Sequence, residues 1–68
     1  MIGIEITTEY ITLGQFLKYA EIVESGTAAK FFLLNNFVLI NKEKEQRRGR
    51  KLYKGYLINV KNKEYIIK

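Results

Sequence analysis

Apolar and polar positions change period along the chain, and the changes mark the elements. Ile2, Ile4 and Ile6 alternate with Gly3 and Glu5. Period two with β-branched residues predicts a short strand with one buried face, which Thr7 and Thr8 can lengthen. From residue 12 the period becomes helical. Leu13, Phe16, Leu17 and Ala20 fall at i, i+3, i+4 and i+7, one apolar stripe. Thr12-Leu13-Gly14-Gln15 fits a capping box, with Gln15 placed to reach back to the cap. Gln15 and Lys18 lie off the stripe, in water. Gly14 lowers helix propensity by up to about 1 kcal/mol relative to Ala. Residues 21–24 lead the chain out of this helix, with Ile22 and Val23 still facing inward.

Ser25-Gly26-Thr27 is a break and then a new cap, supplied by Ser25 or Thr27. Ala29, Phe32 and Leu33 make the inward stripe of a second helix, which Phe31 and Leu34 widen. Ala28 and Ala29 allow close packing on the first helix. Asn35-Asn36 can stop the helix, because Asn tolerates the left-handed conformation. Residues 37–40 read as a strand, Asn41-Lys42 as a turn, and residues 44–46 as a polar, exposed return strand. Lys54-Gly55 is another turn and residues 56–60 another strand. Asn62-Lys63 turns the chain again before a last strand over residues 65–67. Strand, two helices, then several short strands make a small α+β fold. The expected core joins Leu13, Phe16, Leu17, Ala29, Phe32 and Leu33 to Val38, Ile40 and Leu57.

Length changes the picture only by limiting it. The chain has 68 residues, one domain at most, and no cysteine to staple it. A disulfide framework and a thiolate zinc site are excluded. With no His, no Cys and no Asp, the commonest general base, the thiol nucleophile and the commonest metal ligands are missing. Ser25 is the only serine, and no imidazole can activate it. The expectation is a protein that is not an enzyme and takes no cofactor, metal or small-molecule substrate. No segment approaches the roughly 18 consecutive apolar residues of a membrane span. No basic stretch precedes an apolar one at the N-terminus, so the reading expects no secretion signal and a cytoplasmic protein.

Charge adds a location. The net charge is +5. Residues 1–41 carry Lys18 and Lys30 against four Glu, whereas residues 42–54 carry seven cations against Glu43 and Glu45. Within that segment Arg47, Arg48, Arg50 and Lys51 surround Gly49. Arginine forks match phosphate oxygens two at a time. A basic loop beside an apolar strand suits a nucleic-acid backbone. The plainer alternative is a solvated charge run.

Several segments together carry a resemblance. They are Ile11-Thr12-Leu13-Gly14-Gln15-Phe16-Leu17-Lys18, Ser25-Gly26-Thr27-Ala28-Ala29-Lys30, Val38-Leu39-Ile40-Asn41, Arg47-Arg48-Gly49-Arg50-Lys51-Leu52, and Gly55. In order and spacing the chain resembles the S4 RNA-binding domain family (the αL motif). It is most similar to that family's small stand-alone bacterial version, the YaaA/YbcJ-like proteins. The resemblance implies two packed helices followed by a β-hairpin and short antiparallel strands. It implies binding of structured RNA, ribosomal or transfer, by a protein associated with ribosome assembly or translation. The RNA-binding residues it implies are Gln15 and Lys18 on the first helix, Lys30 on the second, and Arg47, Arg48, Arg50 and Lys51 in the loop. Pairing with Glu43 or Glu45 is a second use open to Arg50. Tyr53 and Tyr56 can stack on bases or pack in the core.

The chain departs from the family where Asn41-Lys42 replaces the usual Asn-Gly, so the left-handed turn is strained or replaced. Thr27 follows Gly26 where a second Gly is usual, Tyr56 follows Gly55 where Asp is usual, and Thr12 replaces a basic residue. Two other functions compete. One is a protein-interaction or assembly factor meeting an acidic partner. The other is a DNA-binding domain, which lacks a convincing recognition helix here.

Overall fold

A computed structural model describes residues 1–68. The chain runs β1 (Ile2–Ile4), β2 (Tyr10–Thr12), α1 (Leu13–Tyr19), α2 (Gly26–Asn35), β3 (Val38–Ile40), β4 (Glu43–Glu45), β5 (Lys51–Tyr53), β6 (Leu57–Val60) and β7 (Lys63–Ile67). Five strands form one sheet in the order β1-β7-β6-β3-β4. Only the β1–β7 pairing is parallel. A separate antiparallel ladder pairs β2 with β5, setting Thr12 opposite Lys51. This is the S4-like α+β arrangement that the resemblance implies.

The helices form where their caps and stripes dictate. At the start of α1 the Gln15 amide donates to Thr12 Oγ1 at 3.3 Å, and the Thr12 amide donates to Gln15 Oε1 at 2.8 Å. Both halves of the capping box are therefore made. The Ser25 hydroxyl, not that of Thr27, caps α2 by accepting from the Ala28 amide at 3.0 Å. Leu13, Phe16 and Leu17 are fully buried, with Ala29 and Leu33 from α2 and Val38, Ile40, Leu52, Ile58, Val60, Tyr65 and Ile67 from the strands. Phe16 meets the Tyr65 ring edge-on, centroids 5.2 Å apart. Ile22 and Val23 pack partly buried against this core.

Several expectations shift by a residue or a face. β1 stops at Ile4, and Ile2 is exposed because β1 is the sheet edge. Leu57 is 37% exposed, and Ile58 takes the core position expected of it. Residues 56–60 are almost all apolar, so the run itself does not set the phase. Pairing does, by placing Ile58 opposite the buried Ile40. Phe31 and Leu34 are 58% and 65% exposed and do not widen the core stripe. A helix with its core on one side buries one stripe, here Ala29 and Leu33, with Phe32 at the margin.

Asn36 is extended, not left-handed. The end of α2 is finished by side chains instead. Asn35 Nδ2 donates to the Phe31 carbonyl at 3.3 Å, and Asn36 Nδ2 donates to that of Phe32 at 2.9 Å. The strand expected at residues 44–46 is β4, Glu43–Glu45, and it is not wholly exposed, since Glu45 is buried. The last turn is Lys61-Asn62, one residue earlier than expected.

Both tight hairpins keep left-handed turns without glycine. Asn41 and Lys42 have φ of 50° and 73°, and Lys61 and Asn62 have 52° and 66°. The first turn is thus strained and not replaced. Its Asn41 side chain helps to hold it, accepting from the Leu57 amide at 2.9 Å.

Candidate nucleic-acid interface

A helix start leaves backbone N–H groups without intrahelical partners. In α1 the basic loop supplies them. The Leu13 amide donates to the Arg50 carbonyl at 2.8 Å, and the Gly14 amide donates to the Arg48 carbonyl at 2.9 Å. The loop main chain is therefore tied to the helix start, and the β2–β5 ladder continues the attachment. The fit is close. A Cβ on Gly14 would lie 2.6 Å from Arg48 Cγ and 3.5 Å from the Arg48 carbonyl oxygen. Gly14 is a site of close approach as well as a weak helix former.

The second tie is Glu45, 7% exposed at the end of β4. Its carboxylate accepts from the amides of Gln46 and Arg47 at 3.2 and 3.0 Å. It also accepts a two-pronged bond from Arg47, at 2.9 Å from Nε and 2.8 Å from Nη2. Arg50 Nη1 adds a bond of 2.8 Å. The Arg47 side chain holds the Glu45 carboxyl well below the usual carboxylate range, against the opposing effect of burial, and Arg50 adds to it. The same bonds push the Arg47 guanidinium up. A third tie runs from Gln46 Nε2 to the Leu33 carbonyl of α2, 2.9 Å. One loop is thus fastened to α1, β4 and α2.

The seven residues expected at the interface divide accordingly. Arg47 and Arg50 both serve Glu45, although the Arg47 side chain is 74% exposed and that of Arg50 only 27%. Lys51 lays its ammonium over the Tyr10 ring, 4.9 Å from the centroid. Gln15 is engaged in its cap and also lines a surface concavity of about 350 Å³ with Thr12, Gly14, Lys18, Gly26, Arg48 and Gly49. Lys30 lines a neighbouring concavity of about 380 Å³ with Leu33, Leu34, Gln46 and Arg48. Arg48 belongs to both. It makes no ion pair, and neither concavity is lined by a carboxylate.

Of the two partners open to Arg50, Glu45 is the one it meets. The burial of Glu45 and its pairing with Arg47 have no forecast in the residue pattern, although its place two residues before Arg47 is a signal. The close approach at Gly14 has none either. Tyr53 packs its ring between Tyr10 and Tyr56, centroids 5.7 Å from each, and Tyr56 also packs against the core. No group of three or more carboxylates gathers into a metal-binding cluster. No helix is long and apolar enough to cross a membrane.

Two capped helices, a hairpin and a basic loop folded back on the first helix are the frame of an S4 domain. The family model for that domain matches residues 4–68, and the chain belongs to the S4 domain family. Among its relatives is a protein of Bacillus subtilis named probable ribosome maturation protein RlbA. The two are 54% identical over 57 residues, 84% of this chain and 80% of the relative. No solved structure matches the chain.

Proposed function

We propose that this protein binds structured RNA, ribosomal or transfer, without altering it, and acts in ribosome maturation in the cytoplasm. One observation carries the reading. Arg48, exposed and free of any carboxylate, stands between Lys18 on one side and Lys30 on the other. Three cations from three elements thereby face one surface, backed by two helices. Phosphates can bind there by charge, and the tied loop gives little entropy away on binding. The Bacillus relative's name supports the ribosomal context. The inventory without His, Cys or Asp supports a binding role over a catalytic one.

The test is a salt titration of binding to a ribosomal RNA fragment. Contacts from Lys18, Lys30 and Arg48 predict a slope of log affinity against log salt of roughly −3. Arg48→Ala should flatten it by about one unit, and Lys68→Ala should not. RNA should also bind more tightly than DNA of the same sequence, since an A-form minor groove presents 2′-hydroxyls. Equal slopes for all three proteins, or equal affinity for RNA and DNA, would sink this reading. A second reading, contact with a protein partner, draws on the exposed Phe31 and Leu34 of α2.

A further inference from the structure

A third concavity, of about 350 Å³, lies away from the basic loop, between the end of α2 and the β6–β7 turn. Its walls mix three chemistries. Phe37, half exposed, and Phe32 offer rings. Asn36, Asn59 and Asn62 offer amides. Lys61 offers a cation, its ammonium 5.3 Å from the Phe32 centroid. No carboxylate lines it. Asn36 spends its Nδ2 on the Phe32 carbonyl, whereas the side chains of Asn59 and Asn62 make no hydrogen bond within the protein. Lys61 and Asn62 also hold left-handed φ values, where glycine would sit without strain.

Rings that stack, amides that pair with base edges, and a cation for phosphate are together the chemistry of a nucleotide site. We propose that this concavity holds one unpaired nucleotide of the bound RNA. Its base lies against Phe37 and hydrogen-bonds Asn59 and Asn62, and its phosphate meets Lys61. The inference rests on the RNA-binding reading above and adds a single-stranded element to it. The molecule measures 26 × 22 × 17 Å, so a short tail leaving the loop face spans the distance. Lys44, whose ammonium is 4.7 Å from the Phe37 centroid, covers that ring in the free protein and moves aside for the base. Glu64, opposite Asn59 in the ladder, stays exposed beside the amide.

The experiment compares a base-paired RNA hairpin with the same hairpin carrying an unpaired tail of about six nucleotides. The wild-type protein should bind the tailed RNA about fivefold or more tightly. A tail of abasic residues should give little of that gain. Asn59→Ala with Phe37→Leu should lose the gain and keep the affinity for the plain hairpin, which also shows that the variant is folded. Arg48→Ala should do the reverse, weakening both RNAs and keeping the ratio. Hairpin binding with no gain from the tail would overturn this inference and leave the RNA-binding reading standing. A gain kept by the abasic tail, or by the double variant, would overturn it equally. Failure to bind either RNA would overturn both.

Discussion

Arg47 and Arg50 differ from Arg48 in what surrounds them, not in chemistry. The first two close on the carboxylate of Glu45, and the third has no anionic partner. Together with Glu45 they make a compact unit of net charge +1. Arg48 spends only its main-chain carbonyl on the protein, at the start of α1, and keeps its guanidinium free. Counting cations along a loop therefore overstates how many of them are without an anionic partner. Two arginines close on Glu45, and the one between them does not.

That contrast can be broken most severely from below. Phe16→Ala removes a fully buried core ring of α1, the helix to which the loop is tied, and should cost about 3–5 kcal/mol, unfolding much of so small a domain. Thermal denaturation reads the loss, and an unchanged melting temperature would mean the core is not supported by this ring. Glu45→Gln attacks the contrast itself. It should cost about 1.5–3 kcal/mol, toward the low end because water screens the exposed Arg47. RNA binding at neutral pH should then weaken although the net charge becomes more positive.

Acid should mimic that substitution. The folded carboxyl of Glu45 lies below its ordinary value of 4.5, so its contribution is complete above that value. It should shrink as the pH falls from there toward the folded value. Stability of wild type and Glu45→Gln measured from pH 7 downward should converge. Parallel curves would show that the carboxylate does not hold the loop.

Gly14→Ala should act more gently. Helix propensity alone predicts a gain of up to about 1 kcal/mol. The clash with Arg48 Cγ predicts a cost of about 1–3 kcal/mol, and the cost should win. A more stable Gly14→Ala protein would show that the loop gives way freely. The smallest change in stability belongs to Arg48→Ala, within about 0.5 kcal/mol, while its salt dependence flattens. A large loss of stability would place Arg48 with Arg47 and Arg50.

Much of the architecture was legible because its signals are local. Thr12 and Gln15 form a complete cap, and Ser25 caps the second helix with its own hydroxyl. Leu13, Phe16 and Leu17 keep the phase their spacing demands. What escaped depends on partners distant in the chain. The β2–β5 ladder joins Ile11 to Leu52, and neither flank reads as a strand by itself. Leu57 and Ile58 are equally apolar, and only the neighbour Ile40 decides which goes inward. In the interface, the resemblance pointed to seven residues, of which Lys18, Lys30 and Arg48 line two concavities that share Arg48. It could not show that Glu45 engages two of the arginines, because a charge inside is read from its partners and not from its own type.

The parallel pairing of β1 with β7 has a kinetic consequence. Ile2 faces Tyr65 and Ile4 faces Ile67, the most distant pairing in the sheet. Closing so long a loop costs entropy before any contact rewards it. The helices and the β3–β4 and β6–β7 hairpins need no such closure and should form first. Ile4→Ala should then speed unfolding and leave the refolding rate nearly unchanged in stopped-flow traces. On a translating ribosome, β1 is made before β7 and must wait for residues 63–67. A protein proposed to serve ribosome maturation thus carries an unpaired isoleucine edge until residues 63–67 follow.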